Sequence, residues 1–174
     1  MDLVAGDARD IVLALSIDDV AAFDDPDRFV AHLPLGGGLD PTWLDLFSEA
    51  VRAVTGGDEP SDFLDARSDL EAATSVERIV DRVDPGWIEV VASLPDDQVG
   101  ALAGHWIELL EEELGLLPRE EKPWIRDLAG RIVTFSRAAA KAPERSIPSI
   151  AMLTTPDRSH RTPDRAPKAI GTAR

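Results

Sequence analysis

His105, Glu108 and Glu112 are the side chains of this sequence best suited to bind a metal ion or to transfer a proton. They are three and four positions apart in a helix-forming stretch, so a helix would place one imidazole and two carboxylates on the same face. Such a set could share a metal ion or, with Glu111 nearby, transfer a proton. The spacing therefore raises the hypothesis of a metal-dependent or acid/base-dependent enzyme.

The same residues are also typical of a solvated helix face. Helical zinc hydrolases use two histidines four positions apart with a glutamate beside the first, and this sequence has no such pair. A carboxylate-bridged site would need further ligands from other helices. We therefore interpret His105 as a surface side chain, and we expect no metal and no cofactor.

Other candidate motifs are incomplete. The glycines at 36–38 suggest a phosphate loop, but no Gly-Lys-Ser/Thr follows, and the carboxylate of Asp40 would repel a phosphate at the next helix start. The aspartate clusters lack the spacing of a calcium loop, and the chain has no cysteine. Ser, His and Asp are not arranged as a nucleophilic triad. These gaps favour a protein that is not an enzyme.

Two amphipathic helices would position His105. Apolar residues at steps of three and four predict one helix from about Pro95 to Leu114 and another from about Pro123 to Ala139. The segment between them is short enough for an antiparallel pair. The predicted buried stripes are Val99, Leu102, Trp106, Leu109 or Leu110 and Leu114 in the first helix, and Ile125, Leu128, Ile132, Phe135 and Ala139 in the second.

Earlier segments extend the helical pattern. The segment from Asp7 to Leu15 is interpreted as a helix, although its apolar run also fits a buried strand. A second helix should begin at Asp40–Pro41 and end at Gly56–Gly57, where a left-handed cap is favoured. Residues 77–83 alternate like a strand, although Ser75 could cap a helix there. We predict a mainly α fold, an irregular helical bundle with one or two short strands near 77–83.

The charge distribution divides the chain into two parts. The formal net charge is −15, yet residues 141–174 carry seven basic and three acidic side chains, which leaves −19 on residues 1–140. Five prolines and the lack of an apolar stripe in 141–174 argue against a core there. We expect an acidic helical domain over 1–140, followed by a flexible, basic, Pro-rich tail over 141–174 that is disordered.

An acidic body narrows the classes of partner. It argues against nucleic acid, whose phosphates require clustered Lys and Arg, and it suits a basic protein. No apolar run is long enough for a membrane span, and the start lacks a basic secretory signal, so we expect a cytoplasmic protein. The leading hypothesis is a non-enzymatic interaction module of regulatory, adaptor or toxin-neutralising type. A structural homo-oligomer joined through an exposed Trp or Leu stripe is an alternative.

Overall fold

Five α-helices dominate the described part of the chain. The computed structural model describes residues 1–36, 39, 42–57, 63, 79–142 and 149–154. The helices have 8 to 19 residues, whereas the four strands have 4 to 6. The prediction of a mainly α fold with short strands is confirmed. The helices are α1 (Ala8–Ser16), α2 (Thr42–Thr55), α3 (Pro85–Ala92), α4 (Val99–Leu114) and α5 (Glu121–Ala139).

A four-stranded antiparallel sheet joins distant parts of the chain. Its strands are β1 (Asp2–Gly6), β2 (Phe29–Pro34), β3 (Ile79–Arg82) and β4 (Ser149–Thr154), in the spatial order β2–β1–β4–β3. Strand β3 coincides with the strand predicted near 77–83. The sheet is larger than predicted, because β1, β2 and β4 were not anticipated. They are short, and their hydrogen bonds come from segments far away in sequence, which a local pattern does not reveal.

Strand β4 corrects the expectation that no regular structure follows Lys141. It pairs with β1 through Leu3↔Met152 and with β3 through Val80↔Leu153, so it occupies an interior position in the sheet. Its partners are distant in sequence, so a pattern within residues 141–174 could not indicate this pairing. The remainder of the predicted tail after Ala142 lies outside the described residues.

Strand β1 separates two apolar cores. Leu3, Val4 and Ala5 are all fully buried. Leu3 and Ala5 belong to the larger core with helices α2 to α5, whereas Val4 belongs to the smaller core with α1. Successive side chains of a strand point to opposite faces, so the sheet lies between two helical layers.

Local signals explain the ends of α1 and α2. The side chain of Asp7 accepts a hydrogen bond from the Arg9 amide at 2.8 Å and caps α1, which confirms the helical interpretation of this segment over the strand. Helix α2 ends at Thr55, and Gly56 follows with φ +60°, as the glycine pair predicted. The predicted start of α2 at Asp40 and Pro41 lies outside the described residues.

An aromatic cluster fills the larger core. Trp106 and Trp87 are fully buried, and both rings pack beside Phe47 of α2, with centroid distances of 5.0 Å and 5.9 Å. The Trp106 indole donates a hydrogen bond to the Trp43 carbonyl at 2.8 Å, and the Trp87 indole donates one to the Ser48 hydroxyl at 2.7 Å. Both buried donors are therefore satisfied.

Helices α4 and α5 bury most of their predicted stripes. All five predicted residues of α5 are buried, and α4 buries Leu102, Trp106 and Leu110. The prediction is wrong for Leu114, which is 53% exposed at the last position of α4. Chain direction changes at Gly115, so this side chain lies beyond the packed part of the helix. Within the described residues, no helix has both the length and the apolar content needed to cross a bilayer.

Replacement of Trp106 tests the core directly. We expect Trp106→Ala to lower the free energy of unfolding by about 3–5 kcal/mol, because it leaves a cavity and removes an indole donor. Trp124→Ala is the matched control, since that ring is 41% exposed, and its effect should be clearly smaller. Urea titration measures both. A loss below about 1 kcal/mol for Trp106→Ala would contradict this packing.

Truncation tests whether β4 is integral to the fold. A chain that ends at Ala142 lacks β4, whereas a chain that ends at Thr154 retains it. The shorter chain should be several kcal/mol less stable, since each lost ladder hydrogen bond contributes roughly 0.5–1.5 kcal/mol. Thermal unfolding followed by circular dichroism compares the two chains. Equal midpoints would mean that Ser149–Thr154 add nothing to stability.

Candidate functional site

The predicted trio lies on the solvent face of α4. His105 Nδ1 is 3.2 Å from a carboxylate oxygen of Glu108, and the two side chains are 49% and 71% exposed. Glu112 is exposed one turn further along the helix. The three residues line a shallow depression of about 210 Å³ between α4 and α2, to which α2 contributes Glu49 and Arg52. The structure thus brings the predicted residues together.

Solvent limits the electrostatic effect of the charged side chains in this depression. Its imidazole and carboxylates are open to water, which screens their charges and weakens any electrostatic effect on a reaction. Glu111 does not join the trio, because its carboxylate bonds to Lys122 and to the Leu117 amide. Across the described residues, no set of three or more His, Asp or Glu side chains is arranged to hold a metal ion. The arrangement can exchange a proton with solvent.

A second surface surrounds the connection between α4 and α5. We call it the α4–α5 corner and define it by Leu114, Leu116 and Trp124, which are 53%, 92% and 41% exposed. Single exposed apolar residues are common on protein surfaces. Here three large exposed apolar side chains fall within eleven consecutive positions of the sequence, around the connection between two helices. The exposed charged side chains in this segment are the acids Glu112, Glu113, Glu120 and Glu121 and the base Arg119, so the segment is acidic on balance.

The corner is held in place by buried and half-buried contacts. The ring of Trp124 packs edge-on beside Trp43 of α2, with centroids 6.5 Å apart. The Glu111 carboxylate, only 20% exposed, bonds to Lys122 Nζ at 2.6 Å and accepts the Leu117 amide at 3.2 Å. The hydrogen bond from Lys122 lowers the pKa of Glu111 below its ordinary value. These bonds tie the end of α4 to the start of α5.

A carboxylate–imidazole pair that sequence reasoning missed lies at the border of the smaller core, with the Asp24 side chain 79% exposed. His32 Nδ1 is 2.8 Å from Asp24 Oδ1, and the His32 side chain is only 10% exposed beside the Phe23 ring. Its buried Nε2 atom has no hydrogen-bond partner among the described residues. The residues are eight positions apart and come from a 3₁₀ turn and strand β2, so no helical or strand spacing could have indicated the pair.

The glycine-rich candidate at 36–38 extends beyond the described residues. Gly36 has φ +85°, as a glycine-rich turn requires, but the following Gly37, Gly38 and Asp40 lie outside the described residues. Comparison with known protein families, curated proteins and solved structures gave no match to this chain.

The Glu111–Lys122 pair makes a testable contribution to acid stability. Because folding lowers the Glu111 pKa, the ionised carboxylate stabilises the fold above its unfolded pKa, and this stability is lost as pH falls through the folded pKa. Lys122→Met should raise the Glu111 pKa towards its ordinary value. It should also reduce the difference in stability between neutral pH and about pH 3.

The matched control for that experiment is Lys141→Met, which removes the same charge from an exposed position after α5. An NMR titration of the Glu111 side chain measures its pKa, and urea unfolding at both pH values measures stability. An unchanged Glu111 titration in Lys122→Met would show that the ion pair does not control this carboxylate.

Proposed function

We propose that this protein is a non-enzymatic interaction module that binds a basic protein partner through the α4–α5 corner. The observation that carries the proposal is the 92% exposure of Leu116 among acidic side chains, on a corner fixed by the Glu111–Lys122 pair. A regulatory, adaptor or toxin-neutralising role fits such a surface. We also propose that the protein is cytoplasmic, and a chain without cysteine is compatible with that reducing compartment.

The apolar residues would supply most of the affinity. Interfaces draw their binding energy from a few large side chains that become dry, and tryptophan is prominent among them. Trp124 and Leu116 are exposed and therefore available to insert between apolar groups of a partner. The packing of Trp124 against Trp43 restricts its motion before binding, which lowers the entropy cost of association.

The acidic side chains would favour a partner that carries a positive net charge. Residues 1–140 carry a formal charge of −19, so a basic protein approaches faster than a neutral or acidic one. Glu112, Glu113, Glu120 and Glu121 place part of this charge next to the apolar residues. Such exposed charges mainly raise the association rate, and the effect weakens with salt.

The alternative of an enzyme that uses His105 with Glu108 and Glu112 gains less support from the geometry. Those side chains share a depression of about 210 Å³, which is below the usual volume of a small-molecule site. Elemental analysis that finds stoichiometric zinc, manganese or iron, lost in His105→Ala, would favour that alternative over the interaction module.

Photo-crosslinking in the native cell tests the proposed surface. A photoreactive residue at position 116 should capture one discrete basic protein. The same residue at Ile17, which is 62% exposed near the end of α1, is the positional control and should capture none of it. Capture of that protein equally from both positions would contradict a binding site at the corner.

Affinity measurements with the captured partner then test charge and apolar contact separately. We expect Glu112→Lys with Glu113→Lys to weaken binding about tenfold at low salt, mostly through the association rate, and Leu116→Asp to weaken it further. Asp19→Lys with Asp27→Lys changes the net charge equally at exposed positions away from the corner and is the matched control. Equal losses in both charge variants would indicate steering by net charge alone.

A further inference from the structure

Strand β2 forms one edge of the sheet in the described part of the chain. Among the described strands, β1 is its neighbour, and no strand pairs with its other side. The Leu35 amide donates a hydrogen bond to the Met1 carbonyl, and the residues that bond to the neighbouring strand alternate along an antiparallel pair. Leu33 and Ala31 therefore bond to β1. The N–H and C=O of His32 point away from β1. No described residue pairs with the outward groups of His32. The next outward carbonyl, at Pro34, accepts Arg131 Nη2 at 3.3 Å.

Helix α5 lies beside this open edge and leaves room for a further element. A groove of about 600 Å³ separates Ala31–Leu33 from α5. Gly130, Thr134 and Ala138 line its helical side, and their spacing of four places them in one row along α5. Small side chains in a row allow another helix to approach closely.

The edge and the groove are locally neutral in a strongly acidic protein. Strand β2, with sequence FVAHLP, contains no Asp, Glu, Lys or Arg, and its edge is limited instead by Pro34, which has no N–H, and by Arg131 at the Pro34 carbonyl. Among the described residues, the groove is lined by one acid, Asp127, and one base, Arg131. Two copies could therefore meet here without the like-charge repulsion that the −15 charge creates elsewhere.

We propose that two copies of this chain associate through β2, with the strands antiparallel and α5 of one copy beside α5 of the other. A two-fold axis at the edge allows the outward N–H and C=O of His32 in each copy to pair with β2 of the other copy. The same axis places the rows of Gly130, Thr134 and Ala138 from the two copies beside each other. A lone extended peptide would satisfy the strand edge but would leave the helical row uncovered. The residues that line the proposed dimer surface do not include Leu114, Leu116 or Trp124 of the α4–α5 corner.

The pairing is expected to be short. The register between β1 and β2 shifts between Ala5 and Gly6, which places an irregularity at Val30 and limits regular pairing to the part of β2 that follows it. Few backbone hydrogen bonds then form across the axis, so we expect a dissociation constant in roughly the micromolar range.

Two measurements on the full chain test the dimer together. Analytical ultracentrifugation from about 1 µM to about 500 µM should show the mass rising from 18.8 kDa towards twice that value. Hydrogen exchange followed by NMR should show protection of the His32 amide appearing over the same concentrations. The Leu33 amide, which bonds to β1 in the single chain, is the internal control and should be protected throughout.

Variants locate the interface. Thr134→Arg places a long charged side chain in the helical row at an exposed position and should weaken dimerisation at least tenfold, whereas Thr134→Ser should not. Leu116→Asp, at the α4–α5 corner, should leave the dimer intact. A monomer at every concentration would overturn the proposal. So would a dimer that leaves the His32 amide unprotected, or one that is lost in Leu116→Asp but kept in Thr134→Arg.

Discussion

Two buried indole hydrogen bonds fix the arrangement of the helices. A tryptophan that is removed from water needs an acceptor for its N–H, and α2 supplies both acceptors, the Trp43 carbonyl to Trp106 and the Ser48 hydroxyl to Trp87. Trp106 belongs to α4 and Trp87 to α3, so α2 is tied to two helices by directional contacts as well as by apolar packing. A shift of α2 along either neighbour would leave a buried donor unsatisfied, which costs about 1–3 kcal/mol.

The same constraint determines what the surface can do. With Trp106 turned inward, the opposite side of α4 carries His105, Glu108 and Glu112 into solvent. The trio is therefore a consequence of burying the helix, and it remains open to water. Beyond the last turn of α4 the packing ends, and Leu114 and Leu116 are left exposed among acids. The α4–α5 corner thus arises where the aromatic core stops and the chain must reverse direction.

Sequence periodicity predicted the parts of the fold that depend on local repeats. The stripe of α5, the cap at Gly56 and the strand near 77–83 follow from spacing and turn chemistry within a few residues. Strands β1, β2 and β4 could not be predicted in that way, because β1 is buried on both faces and β4 pairs with segments more than sixty residues away. The candidate trio was predicted from helical spacing. The Asp24–His32 pair and the exposure of Leu116 depend on tertiary structure and gave no signal in the sequence.

Hydrogen exchange at the four indole N–H groups tests whether α2 holds Trp87 and Trp106 in a closed core. In protein labelled with ¹⁵N, each tryptophan gives one indole N–H signal in the NMR spectrum. Buried and exposed rings are therefore compared in one sample. The account predicts that the indole protons of Trp87 and Trp106 exchange only through global unfolding, and that Trp124, which is 41% exposed, exchanges rapidly. Rapid exchange at Trp106 or Trp87 in the folded protein would contradict the claim that α2 holds both indoles in a closed core.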